Sequence, residues 1–336
     1  MALPYKRSEI KERARSDWHG LTNVTMPSFN EDFSGLNEEA IANDVKLAAE
    51  HGYWGTLVAS ESGTTLDEYK RFLEVAAAAA PDDFKIVAHL SFSTVEESLQ
   101  AAATAEGVGA EAALLSYPPS FRPSSPADIV EHTKYVSDNT DLALILFGVP
   151  TWGYKALHPA GFPMDALEEM AKLETAAALK YEGGGAAVFS ALDEIWHRCS
   201  DDVLVYHPYE LHIPMQVRNY GMQWAGTSGY ESLRDRPVKV LEAAKAGDFE
   251  TAMEIFWSCH PAREAKGAFH ATFPGANLIH RVGWKYLSWL HGYNGGLLRM
   301  PQMRLNPNQM KSLRAGIVAS GFDVPEDDAA FYAGRA

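Results

Sequence analysis

Short apolar runs alternate with longer amphipathic stretches over the first two-thirds of this 336-residue chain, and that alternation constrains the fold more than any other feature. The runs that read as strands are Asn23 to Met26, Gly55 to Ala59, Ile86 to His89, Ala112 to Ser116, Leu142 to Phe147, Ala176 to Lys180, Leu204 to Tyr206 and Met222 to Ala225. Between them, Asn37 to His51, Leu66 to Ala79, Val95 to Glu106, Ser125 to Ser137, Pro163 to Lys172, Gly185 to Cys199 and Glu210 to Asn219 carry apolar residues at helical spacing. A helix between two strands lets the second run parallel to the first. Eight such units match a closed (β/α)8 barrel better than an open doubly wound sheet, so the expected class is α/β, a TIM barrel.

From about Arg234 the strand signal stops. Val238 to Ala246, Phe249 to Trp257, Arg281 to Gly292 and Pro307 to Ser320 read as helices, punctuated by Gly275, Gly292, Gly295-Gly296 and Pro301. The expected division is a barrel with a short N-terminal helix over residues 1–233 and a helical extension over 234–336 packed on its side, together one compact unit.

Charge and cysteine content exclude several functions. The balance of 29 basic against 44 acidic residues, a formal charge of -15, repels nucleic acid and anionic membrane, and no basic tract overrides it. Cys199 and Cys259 cannot form a disulfide framework and sit in no metal-ligand spacing, which fits a reducing cytoplasm. Lys6 to Trp18 is charged, unlike a secretory signal, and no apolar stretch is long enough to cross a membrane.

Lys180 ends the apolar run Ala176-Ala177-Ala178-Leu179 and precedes Tyr181-Glu182-Gly183-Gly184-Gly185. A barrel performs its chemistry at the carboxyl ends of its strands. Desolvation there lowers a lysine's pKa and exposes the neutral amine that attacks a carbonyl to form a Schiff base. A lysine snorkelling into solvent is the bland alternative.

Other strand ends offer Tyr117, Phe147, Trp152, Tyr154, Tyr181, Tyr206, His207, Tyr209 and Trp224, an aromatic-walled cavity suited to a planar or apolar ligand. Aromatics also pack barrel mouths and subunit contacts, and both roles stay open. Imine chemistry needs proton transfer, for which His207 is the first choice, followed by Tyr154, Tyr117 and Glu210. A hydrogen-bonded structural histidine remains the other reading of His207. Ser60, Glu61 and Thr64 can bond a carboxylate or carbonyl, while Ser60 and Thr64 can equally cap the next helix. His51, His89, His260, His270, His280 and His291 are scattered without metal-ligand spacing, so no metal and no cofactor are expected. Gly183-Gly184-Gly185 lacks the Lys-Ser/Thr pair of a phosphate loop and reads as a tight turn.

Several segments together resemble the Schiff-base lyases that include dihydrodipicolinate synthase and N-acetylneuraminate lyase. Glu61-Ser62-Gly63-Thr64-Thr65-Leu66 resembles the latter part of that family's Gly-Thr-Thr-Gly-Glu loop. Ala110-Glu111-Ala112-Ala113-Leu114-Leu115 is similar to the strand leading to its Thr-Pro-Tyr-Tyr segment, and Leu144-Ile145-Leu146-Phe147-Gly148-Val149-Pro150 to its Ile-Leu-Tyr-Asn-Val-Pro. Lys180 falls where the family keeps its imine-forming lysine, and Leu298-Arg299-Met300-Pro301 resembles its closing Arg-x-Pro. The resemblance implies a lysine-imine aldolase that takes a small carbonyl substrate and forms a dimer or tetramer.

Three departures stand out. Phe147 replaces the family's proton-shuttling tyrosine, Val58 and Ala59 replace two threonines, and the carboxylate-binding arginine is absent near Trp152. Lys180-Tyr181-Glu182-Gly183 resembles the Lys-Tyr-x-Gly of the hydratase-aldolase branch, which cleaves arylidene-pyruvates, although that branch keeps the tyrosine and its strand-seven Pro-His pair stands inverted as His207-Pro208. The expected function is therefore a lyase acting on a 2-oxo acid with an aromatic or apolar substituent. The competing expectation is an altered barrel that binds a keto or aromatic acid without turnover.

Overall fold

The computed structural model describes residues 3–149, 152–159, 161–183, 188–272, 281–300 and 304–335. Pro150, Gly184, Gly185, Gly275, His280 and Pro301, all named above, lie outside these residues. Eight strands are present: β1 (Gly20–Thr25), β2 (Gly55–Val58), β3 (Lys85–Leu90), β4 (Ala112–Leu115), β5 (Ala143–Gly148), β6 (Ala176–Tyr181), β7 (Leu204–Tyr206) and β8 (Trp224–Gly226). Their order is β7-β6-β5-β4-β3-β2-β1-β8, the chain order cut between two consecutive strands, as in a barrel. The fold is a (β/α)8 barrel with C-terminal helices.

Helices begin where the sequence supplies capping boxes. Thr65 with Glu68, Thr94 with Glu97, and Ser125 with Asp128 open helices Leu66–Ala79, Val95–Val108 and Pro126–Asp138. The cap after β2 is Thr65, not the expected Ser60 or Thr64; the Thr64 hydroxyl instead donates to the Ser60 carbonyl at 3.2 Å.

By packing, the chain forms two compact units, one of Met1–Leu21 and Lys85–Thr227, the other of Thr22–Phe84 and Ser228–Ala336. In the first, the register Leu146↔Leu179↔Val205 aligns residues on one sheet face, and all three join an apolar cluster with Leu167, Leu192 and Ile195 from the helices. The alternate residues, Phe147↔Lys180↔Tyr206, share the opposite face. The N-terminal segment meets the amino ends of these strands. Arg13 grips the buried Glu111 carboxylate through two bonds of 2.7 and 3.0 Å, Trp18 Nε1 donates to it at 2.9 Å, and the Tyr5 hydroxyl donates to the Glu111 carbonyl at 2.8 Å.

In the second unit the tail packs with residues 22–84. Lys285 Nζ donates to the Pro27 carbonyl at 2.7 Å and the Asn294 N–H to the buried Asp44 carboxylate at 2.6 Å. Arg299 donates to Glu68 at 2.6 Å and to the Phe33 carbonyl at 2.6 Å, so Arg299 acts here as a loop clamp. Helix His260–His270 was not among the helices expected from sequence; Pro261 occupies its first turn, where no N–H is needed.

Removing one partner from a buried ion pair leaves the other desolvated and unpaired. Arg13→Ala, which leaves the buried Glu111 carboxylate without its cation, is expected to cost about 3 kcal/mol of stability, read from urea unfolding, with Glu111→Ala costing less because the Arg13 it leaves behind is partly exposed.

Candidate active site

Lys180 lies in the last two residues of β6 and is 4 % exposed. Three groups surround its ammonium. Nζ donates to the Thr227 carbonyl at 2.9 Å, stands 3.3 Å from Glu182 Oε2, and sits 4.4 Å from the centre of the Phe147 ring. Burial lowers the Lys180 pKa, with Glu182 opposing the shift. A carbonyl, a carboxylate and an aromatic face together hold a cation that water cannot reach.

The chain folds locally to place these groups. Thr227 adopts φ 59°, a left-handed conformation rare for a β-branched residue and a strain that turns up at functional positions. Glu182 follows β6 and is held by its N–H on the Gly148 carbonyl at 2.9 Å. Gly183 is required because a side chain there would collide with the Tyr181 ring. Its carbonyl then bonds His207 Nε2 at 2.8 Å.

His207, expected to move protons, is fully buried with both ring nitrogens engaged by backbone: Nε2 on Gly183 and Nδ1 accepting from the Tyr209 N–H at 3.3 Å. Burial pushes its pKa down to about 4, so the neutral tautomer with Nε2–H fits this geometry. Its backbone is pinned by Gln216, whose amide both accepts from the His207 N–H and donates to its carbonyl. Tyr209 packs on His207 at 4.7 Å between ring centres, and its phenol lies within electrostatic reach of Glu182.

The remaining expected residues divide between the two sheet faces and the two units. Tyr206 shares the Lys180 row, its phenol beside Thr227. Trp224 fills the interior between Trp18 and Tyr206, 4.9 and 5.0 Å between ring centres. Tyr117, Tyr154 and Tyr181 belong to the helix-facing cluster; the Tyr117 hydroxyl pairs with Thr133 at 2.7 Å, while that of Tyr154 is buried without a hydrogen-bond partner among the described residues. Trp152 touches both groups, edge-on to Phe147 at 5.0 Å and to Tyr117 at 4.8 Å. Ser60 and Glu61 lie in the second unit, where Glu61 pairs with Arg281. Glu210 lies in the turn Glu210–His212 after β7.

Two groups at the site were not singled out from sequence. Glu182 had a positional signal, two residues beyond Lys180, which a loop carboxylate seldom makes conclusive. His89, on β3, had none. It is buried, bonds the Ser116 hydroxyl at 3.0 Å through Nε2, and is pushed down to about 3 by burial and, secondarily, by Lys180. Among the described residues no group of three or more His, Cys, Asp or Glu side chains forms a metal site, and no helix is long and apolar enough to cross a membrane.

Residues 18–287 match the model of the dihydrodipicolinate synthetase family, and the chain belongs to that family. The 4-hydroxy-tetrahydrodipicolinate synthase of Methanosarcina barkeri is 23% identical over 270 residues, 79% of this chain and 86% of its own length. An N-acetylneuraminate lyase of Escherichia coli is 24% identical over 235 residues, 67% of this chain and 74% of its own. The crystal structure of dihydrodipicolinate synthase from Oceanobacillus iheyensis superposes with a TM-score of 0.77 at 16% identity, over 93% of this chain and 99% of that one. Family members are class I aldolases or lyases that work through a lysine Schiff base, and this chain is an enzyme of that class.

A histidine near 6.5 when unfolded and near 3 when folded takes its proton first in the unfolded chain. His89 therefore contributes stability that is present above pH 6.5 and lost as pH falls toward 3. The stability gap between wild type and His89→Asn, read from urea unfolding, is expected to narrow by roughly 2 kcal/mol between pH 7 and pH 4.5.

Proposed function

We propose that Lys180 condenses with the ketone of a 2-oxo acid and that the resulting iminium draws electrons during carbon–carbon cleavage or dehydration. The observation that carries this reading is the buried Lys180 amine, shifted toward its neutral form and pointed by the Thr227 carbonyl. The Phe147 face, 4.4 Å away, favours the positive charge that persists from ammonium to iminium.

The substrate's far end is aromatic or apolar in this proposal. Half-exposed Phe189, Tyr209 and Leu211 stand beyond the ends of β6 and β7, and Phe189 and Tyr209 pack on His212 at 5.1 and 6.2 Å between ring centres. These surfaces suit an arylidene-pyruvate, the substrate type of the hydratase-aldolase branch. A homo-oligomer, as the resemblance implies, belongs to the same proposal and is checked by sedimentation velocity.

The second reading is a barrel that binds the same acids without turning them over. What favours it is Phe147, which cannot exchange a proton, together with Trp152 in the region of the missing arginine. Incubation with benzylidenepyruvate separates the two. Release of benzaldehyde by the wild type and its fall to background in Lys180→Ala is the expected result. Binding without aldehyde release would favour the second reading.

A further inference from the structure

With a phenyl ring where the family places a phenol, some other group has to move the protons of imine formation. His207 has both nitrogens committed to backbone, and His89 is kept neutral by burial with Nε2 on Ser116. Glu182 is the carboxylate in contact with Nζ, at 3.3 Å, and its side chain is 15% exposed. Its backbone is fixed on both sides, by its own N–H on Gly148 and by the Gly183 carbonyl on His207. The phenols of Tyr206 and of Tyr209, the latter a residue 43% exposed, lie within electrostatic reach of it. The carboxylate therefore stands against a buried amine while keeping some exposure of its own.

The geometry points to Glu182 as the catalytic acid–base group of this site, working on the Lys180 amine 3.3 Å away. The assignment rests on the Schiff-base reading of Lys180. Glu182 first removes a proton from the ammonium, leaving a neutral amine and a carboxylic acid. The amine's electron pair bonds the ketone carbon, and the carbonyl π pair moves to oxygen. Glu182 delivers its proton to that oxygen and takes one from the nitrogen, giving the carbinolamine. It then protonates the hydroxyl, which leaves as water while the nitrogen pair forms the C=N bond. Ammonium and ketone have become iminium and water, and Glu182 ends as the carboxylate it began as, paired with the iminium. From there it is placed to accept the proton lost on going to the enamine, and its own partial exposure lets it exchange that proton with solvent.

This step can be read without knowing the aldehyde. Pyruvate alone, in D2O, exchanges its methyl protons through the imine and enamine, and NMR follows the loss of the methyl signal. Wild type is expected to catalyse exchange and to retain pyruvate on Lys180 after borohydride reduction. Glu182→Gln keeps the shape yet cannot take a proton. Exchange is expected to fall by about 10²–10⁴-fold, with trapping slower but still on Lys180. Tyr209→Phe leaves the carboxylate in place and is expected to cost about tenfold or less. If Glu182→Gln does not fold by circular dichroism, Glu182→Asp withdraws the carboxylate by one methylene and must lower exchange at least about tenfold. Exchange in the folded variant within about threefold of wild type overturns the role of Glu182. A wild type with no trapped adduct and no exchange removes the Schiff-base reading and this role with it, whereas a trapped adduct with undiminished exchange in Glu182→Gln removes Glu182 alone.

Discussion

Holding one positive charge inside the barrel is the constraint around which the described site is arranged. An ammonium taken out of water costs several kcal/mol unless polar partners replace the lost hydration. Among the described residues Lys180 has two such partners and one aromatic face, and each makes a demand on the chain. The Thr227 carbonyl reaches Nζ from a residue in a left-handed conformation. Glu182 reaches it because Gly183 permits the chain to pass the Tyr181 ring. Phe147 offers its face because the β5–β6 register sets it directly beside Lys180. The compensation is partial, so burial still lowers the amine's pKa.

That balance gives the substitution at Phe147 a physical sense. A phenol at this position can pass protons, but a phenyl ring offers only its negative face to the cation. Stabilising charge and moving protons are then separate tasks, carried by different side chains in the reading developed above. The aromatic neighbours divide likewise. Phe147 and Tyr206 share the row with Lys180, whereas Tyr117, Tyr154 and Tyr181 fill the layer between strands and helices.

Much of the fold was legible because period and punctuation agree. The strand Leu204–Tyr206 and the helix Leu66–Ala79 have the limits that their apolar spacing marks, and the other strands differ by a few end residues. Helix His260–His270 was not among the expected helices; Pro261, which can stand only in a helix's first turn without loss of a hydrogen bond, opens it. The site was legible as a lysine at the end of a buried strand. It was less so in its aromatics, because a tyrosine's position relative to a strand end does not say which face it occupies. Tyr181 follows Lys180 directly and, by strand alternation, points to the opposite side. His89 and Glu182 were overlooked for the opposite reason: their importance comes from register and a loop path, and neither is a sequence motif.

The most direct measurement of the account is a crystal structure of the protein soaked with pyruvate. The account predicts continuous density from Lys180 Nζ to the pyruvate C2 carbon, with Nζ withdrawn from the Thr227 carbonyl and the Glu182 carboxylate beside the new bond. Pyruvate bound at the strand ends with Nζ still on Thr227, and no covalent link, would contradict it.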